Sequence, residues 1–478
     1  MYRNARIIKK RLAVTAPTLR TGDASRTPRI APASLAPAAG AAAPDVAETP
    51  VLAPIPAPAA EPVLAPAPDA TSAHAALART LAAAWRIPFR QLITALPLIT
   101  SGTLAPGHLL AQEAQPPPGA ASTAGAPGDT TAPAAADTIT PADSPLNRLL
   151  APTGITATGY LAASYYHSSG DSTFHEFDTA HDTFQLDQAG LTVAYQPKEG
   201  FGALVNLVAG EDARVINEAE NGTHGEFNVT QAFIQYARGS LTVIGGRFLT
   251  LAGAESENPS LNTNFSRSLL YFAEPITHTG LRATYAATDT LSVVVGINDG
   301  WNTTSTSYGS KTGELAVLFT PSKTTALTAQ AYVGKDPAYD ATRALMDIVG
   351  TYNATSSLSL ILNFDWGRQE QQPALGTDRP TLQWDGLAGY VNYAFNDQWR
   401  ISLRGEYLDD KGGSVTGTAQ KTEEGTITAG YSPMKSFELR LEGRYDTSNK
   451  ATFIYKTAGF ETFDTHQTGF SAQGIYKF

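Results

Sequence analysis

Phe437-Glu438-Leu439-Arg440-Leu441-Glu442-Gly443-Arg444-Tyr445 is the stretch that decides the fold. Its odd positions carry Phe, Leu, Leu, Gly and Tyr, and its even positions carry Glu, Arg, Glu and Arg. A period of two sends successive side chains to opposite faces of a strand, so one face is apolar and the other charged. The apolar face is tipped by an aromatic ring at each end, as expected where a strand meets two membrane interfaces. Trp399-Arg400-Ile401-Ser402-Leu403-Arg404-Gly405-Glu406-Tyr407 repeats the pattern. So does the end of the chain, with Thr468, Phe470, Ala472, Gly474, Tyr476 and Phe478 on one face.

Working outward, the same texture fills 153–478 and predicts strands at 153–167, 182–196, 200–210, 226–237, 240–249, 278–287, 290–299, 312–320, 325–335, 343–355, 357–369, 382–395, 398–409, 422–432, 435–446 and 466–478. Their number is even, and their lengths are near the roughly 10 residues that cross a bilayer when tilted. Connections alternate between short (Arg238-Gly239, Thr288-Asp289, Asn396-Asp397, Pro433-Met434) and long (168–181, 211–225, 250–277, 370–381, 410–421, 447–465). A soluble sandwich can also alternate, but aromatic tips and one-sided long loops point to an all-β, closed antiparallel transmembrane barrel. In lipid every backbone N–H and C=O needs a partner, so the sheet must close. A barrel of about sixteen strands leaves an aqueous channel. Both termini fall on the short-turn side, which places them in the periplasm.

Residues 1–150 are a different polymer, dominated by Ala and Pro, as in Ala53 to Ala67. Such sequence cannot bury a core and reads as disordered. Arg86 and Arg90 precede a short apolar run, Leu92 to Ile99, and small residues follow to Ala111. That is the layout of a secretory signal, too short for a spanning helix. The expected organisation is an extension over 1–111 with a signal peptide at about 86–111, a Pro/Ala-rich periplasmic tether over 112–150, and the barrel over 151–478. A signal so far from Met1 implies a start downstream or a long leader.

Composition excludes several classes of function. With no Cys there is no disulfide framework, thiolate metal site or cysteine nucleophile. A formal net charge of -10 argues against nucleic-acid binding. Residues 153–478 hold 22 Lys and Arg against 35 Asp and Glu, a net of -13, which would enrich cations modestly at the mouth.

The lumen face is expected to be polar. Arg400, Arg404, Glu406, Glu438, Arg440, Glu442 and Arg444 should share one wall patch, with acids opposite bases across an intervening strand that offers Thr426 and Thr428. Arg247, Arg282, Asp347 and Asp365 are expected on the same face elsewhere. Such charges either set an ion path or neutralise one another and stiffen the wall. The longest loop, 250–277, contains Glu255, Glu257, Asn258, Asn262, Asn264, Arg267 and Glu274. A loop of that length is usually functional. It is expected to fold inward and constrict the lumen, with Glu255 and Glu257 facing the basic wall.

Gly246-Arg247-Phe248, Gly253-Ala254-Glu255, Ser266-Arg267-Ser268, Pro275 with His278-Thr279-Gly280, and Asn298-Asp299-Gly300-Trp301 resemble, in that order, the beta-barrel porin-2 (OmpL-like) family of outer-membrane porins. Tyr476 and Phe478 resemble the C-terminal signal read by the barrel-assembly machinery. The resemblance spans about 150–478 and implies a channel for small hydrophilic solutes in the bacterial outer membrane. The Ala/Pro-rich first 150 residues depart from it.

The expected function is therefore passive diffusion of ions and small hydrophilic solutes through an outer-membrane porin, with weak cation preference. The alternative is an outer-membrane anchor whose tether holds the cell wall or a partner. Expected partners are outer-membrane lipid, the assembly machinery, the solutes and a homotrimer. No cofactor or metal is expected, since His175 and His181 lie in one loop at a weak spacing. Ser266 and His278 could be drawn as a hydrolase pair, but nothing marks an orienting group or oxyanion site, so no enzyme is expected.

Overall fold

The computed structural model describes residues 145–306, 309–336, 341–371, 380–457 and 460–478. The proposed extension, signal peptide and most of the tether lie outside these residues. Sixteen strands close one barrel: β1 (Thr156–Ser168), β2 (Thr183–Tyr195), β3 (Gly200–Ala209), β4 (Phe227–Arg238), β5 (Leu241–Leu249), β6 (Thr277–Thr288), β7 (Leu291–Asn298), β8 (Thr312–Ser322), β9 (Thr325–Asp336), β10 (Ala341–Asn353), β11 (Leu358–Glu370), β12 (Thr381–Ala394), β13 (Trp399–Asp410), β14 (Gln420–Met434), β15 (Phe437–Ser448) and β18 (His466–Lys477). Each expected segment is one of these strands. Neighbours are antiparallel throughout, and β1 pairs with β18 to close the ring. At the seam Gly159 and Phe478 exchange backbone N–H···O bonds of 2.9 Å each.

The outer face is the exposed apolar one. Leu191, Val205, Ile234, Leu281, Val295, Leu315, Leu362, Leu403 and Leu441 stand out from mid-strand. Rings collect at the short-turn ends, where Trp399 stacks on Tyr431 at 4.4 Å and Phe201 tilts on Tyr236 at 5.0 Å. Phe184, Phe227 and Tyr445 are exposed at the long-loop ends. Two aromatic belts around an apolar band are what lipid contact requires.

The long connections are not bare loops. Between β3 and β4 lies α2 (Glu211–Asn221), between β5 and β6 lies α3 (Leu269–Ala273), and β16 (Phe453–Thr457) pairs with β17 (Phe460–Asp464) between β15 and β18. Ahead of β1, α1 (Pro145–Leu150) docks on the barrel through Asn147, which bonds the carbonyl and N–H of Ala157 at 2.6 and 2.7 Å.

The expectation of a uniformly polar lumen is corrected. Leu345, Ile361, Trp384, Ala388 and Leu408 point inward and form one buried cluster with Leu269 and Leu270 of α3, Phe174 and Phe453. Inserted loops supply apolar partners there, so the inward face need not be wet.

The longest of those loops leaves the wall beside a glycine pair. Gly246 and Gly280 oppose each other across β5 and β6. Gly246 has φ +134°, and a Cβ there would lie 2.3 Å from the Ala232 carbonyl oxygen. Both the conformation and the close approach demand glycine. Gly246→Ala is expected to cost about 1–3 kcal/mol. The urea midpoint of tryptophan fluorescence should fall accordingly, and an unchanged midpoint would show that the backbone yields without strain.

Candidate functional site

The connection from Thr250 to Ile276 turns into the barrel and crosses its lumen. At its start Leu251 N–H donates to Tyr332 Oη on β9 at 3.0 Å, and Ala254 N–H donates to Asn363 Oδ1 on β11 at 2.7 Å. Further along, Gln188 of β2 donates to the Glu257 carbonyl at 2.7 Å. The loop then reaches the far wall. Asn264 donates to Thr428 Oγ1 at 2.7 Å, and the N–H groups of Phe265 and Ser266 donate to the Glu442 carboxylate at 2.6 and 2.9 Å. The N–H groups of Leu269 and Leu270 donate to Glu406 Oε2 at 2.8 and 3.3 Å. A carboxylate accepting free N–H groups at a helix start is electrostatically favoured.

Arginines of the wall take the loop's carbonyls. Arg400 donates to Thr263 O at 2.7 Å, Arg404 to Ser266 O at 2.8 Å, Arg440 to Pro259 O at 3.0 Å and Arg444 to Arg267 O at 2.6 Å. Carboxylates and guanidinium groups of β13 and β15 thus replace water around an irregular backbone buried in a barrel.

The register corrects the expected charge arrangement. Thr426 of β14 pairs with Arg404 on one side and Arg444 on the other. Gly430 lies between Arg400 and Arg440, and Glu424 lies between Glu406 and Asp446. Like charges therefore share a row, and neutralisation runs between rows. Arg400 and Arg440 both hold Glu438, at 2.5 and 2.9 Å. Arg404 holds Glu424 at 3.1 Å, and Arg444 holds Asp446 at 2.7 Å. Glu424 and Asp446 complete the lattice and escaped the sequence reading, because their partners depend on register rather than on spacing along one strand. All of these side chains are buried.

The other candidates divide. Glu255 meets the wall, holding Arg404 at 2.8 Å and accepting from Ser268 N–H at 2.7 Å. Glu257 does not; it accepts from the Ser256 hydroxyl at 2.8 Å. Burial pushes its carboxyl up, opposed by that hydroxyl and by Arg267. Arg267 bonds the loop's own carbonyls of Ser256, Phe265 and Glu257 at 2.8, 2.8 and 3.1 Å, so its charge braces the loop. Arg282 faces inward, forks onto Glu314 at 2.9 and 2.7 Å, and lies over the Phe248 ring. Arg247 follows Gly246, whose φ interrupts regular alternation, and its largely buried side chain holds Glu220 of α2 and, at 3.1 Å, Asn228. Asp347 and Asp365 are directly paired and inward, and Glu274 meets them. Tyr476 and Phe478 expose their rings at the end of the chain.

Water reaches one side of the loop. Ser256, Asn258, Ser260 and Thr263 are half-exposed, whereas Asn264 to Tyr271 are buried. Leu251, Ala254, Glu255 and Leu261 share that partial exposure, so the half-exposed side of the loop is mixed, with hydroxyl and amide groups the commonest. No hydrolase pair forms among the described residues, since Ser266 Oγ accepts from Arg404 at 2.9 Å and His278 Nδ1 meets Gly300 O at 3.1 Å. His175 is enclosed by Asp178 and Asp446, while His181 bonds Asp182.

The model of a family described as "Putative beta-barrel porin-2, OmpL-like" matches residues 154–478. No curated protein matches in sequence. Among solved structures, OmpT of Vibrio cholerae is 13% identical, covering 68% of this chain and 97% of that chain, with a TM-score of 0.47. The outer-membrane channel DcaP of Acinetobacter baumannii is 14% identical over 68% and 97%, also at 0.47. OprB of Pseudomonas putida is 11% identical over 70% and 96%, at 0.48.

Arg404→Ala leaves Glu424, Glu406 and Glu255 without their shared cation and the Ser266 carbonyl without a donor. Removing one partner from a buried charge network typically costs about 3–5 kcal/mol. The variant should unfold at lower urea and give larger, noisier single-channel currents. Wild-type currents and an unchanged midpoint would show that the lattice does not hold the loop.

Proposed function

The chain belongs to the beta-barrel porin-2, OmpL-like family, and from that premise we propose how its barrel conducts. It is an integral outer-membrane channel for passive diffusion of ions and small hydrophilic solutes. The inward loop carries the proposal on its pore. With inward side chains of β11 to β15 buried, the open path is narrow and runs along Ser256, Asn258, Ser260 and Thr263. Hydroxyl and amide groups there can exchange hydrogen bonds with a hydrated solute without holding it.

Charge behind the loop is balanced against anions. Arg400, Arg404, Arg440 and Arg444 are paired with Glu255, Glu406, Glu424, Glu438 and Asp446. The arginines thus offer no free positive surface, and the acidic balance of 153–478 favours cations modestly. The chemistry is that of a channel rather than a catalyst. Tyr476 and Phe478, stacked at 6.1 Å at the end of the closing strand, offer the assembly machinery an exposed aromatic pair. The short-turn end, with both ends of the barrel chain, faces the periplasm, the apolar band contacts outer-membrane lipid, and the assembly is a homotrimer.

Bilayer recordings test the pore. Deleting 255–264 should raise single-channel conductance clearly, because the crossing segment is gone; an unchanged value sinks the constriction. Reversal potentials in a salt gradient should report weak cation preference, and anion preference would refute it. A correctly folded barrel that passes no current would favour the anchor instead.

A further inference from the structure

Three carboxylates converge where the inward loop rejoins the wall. Asp347 of β10 and Asp365 of β11 oppose each other in the ladder, and Glu274 directly follows α3. One oxygen of each lies within 4.8 Å of the others. Glu274 is 6% exposed and both aspartates 0%. No N–H or hydroxyl group donates to either Glu274 oxygen or to Oδ2 of Asp365; these carboxyls meet one another instead. The inward arginines of neighbouring strands are engaged elsewhere, Arg282 with Glu314 and Arg343 with Asp336.

A neighbour outside the acid cluster points the same way. Gln330 of β9 is 3% exposed and donates its Nε2 to Asp347, while its own Oε1 is a buried acceptor with no donor. Asn363 Nδ2 donates to Asp347 at 2.6 Å and to Asp365 at 3.3 Å, which fixes both carboxylates as acceptors. Gly253 closes the cavity. Its φ is +87°, and a Cβ there would lie 2.0 Å from Glu274 Oε2, so only a bare backbone fits over the cluster.

Three like charges cannot be buried together without a counter-charge. Protons shared between these touching carboxyls could relieve the repulsion, but each proton joins only two oxygens. A cation meets several at once. Oxygens ringing an ion at about 2.3–2.6 Å lie no more than roughly 5 Å apart, and one oxygen of each carboxylate lies within that limit of the others. The donor set is oxygen only, without His or Cys, which selects a hard cation. Carboxylates and a carboxamide from four separate segments suit the irregular coordination of Ca²⁺ better than the strict octahedron of Mg²⁺.

We propose that Glu274, Asp347 and Asp365, with Gln330 beside them, form a site for one Ca²⁺ ion that ties the returning end of the inward loop to β10 and β11. The site stands on its own geometry, whether or not the barrel conducts.

The test uses the full chain refolded into detergent, free of lipopolysaccharide, with Tb³⁺ as the probe and Ca²⁺ as competitor. Trp384 and Tyr332 belong to the same lumen cluster and can sensitise its emission. Wild type should show saturable luminescence displaced by Ca²⁺. Asp365→Asn and Glu274→Gln should each weaken binding by at least about tenfold, while Asp397→Asn, in an exposed turn, should bind like wild type. Two variants are used because either could fail to refold; the heat-modifiable gel shift identifies those that did. Absence of saturable binding to wild type, or equal binding by a folded variant, overturns the proposal and leaves shared protons as the counter-charge. The readout is binding, so a silent pore would not disturb it.

Discussion

The bilayer offers no hydrogen bonds, and the rest of the structure depends on that. A sheet in hydrocarbon must pair every strand edge, so β1 has to meet β18. Closure fixes the alternation, since one face of every strand then touches lipid and the other is enclosed. It also explains why the apolar residues are spread over the outside, and why Leu403 and Leu441 are exposed while Arg404 and Arg440 are buried. What would be a misfolded surface in water is the stabilising surface here.

Enclosure creates a second problem of the same kind. A loop drawn into the lumen loses water around an irregular backbone. Its N–H groups find Glu406 and Glu442, and its carbonyls find Arg400, Arg404, Arg440 and Arg444. Those groups then need counter-charges, which the adjacent rows supply. Wall and loop are each incomplete without the other. Charges that look like a selectivity device in sequence hold the loop's backbone in this structure.

The strands were legible because a period of two and aromatic tips are local properties. The inward loop was legible from its length alone. Register was not: whether Arg404 faces Arg444 or Glu442 across Thr426 depends on turn geometry and on slips such as the one between Tyr431 and Met434. Expecting acids opposite bases was reasonable chemistry applied to an unknown offset. The apolar part of the lumen escaped because Leu269 and Leu270 belong to the loop and meet Leu408 and Trp384 only in three dimensions.

A narrow path and an acidic chain act at different distances. Charges inside the wall sit in rows of one sign that neutralise their neighbouring rows, so their fields fall off quickly. Half-buried acids such as Asp385 and Asp409 have exposed partners that water and salt screen, Lys411 and Lys421. In the pore proposed above, the mouth would set the concentration of ions that arrive, while the loop would set the size that passes. Separating the two roles lets the loop be rigid, because nothing in its buried half has to move for an ion to cross.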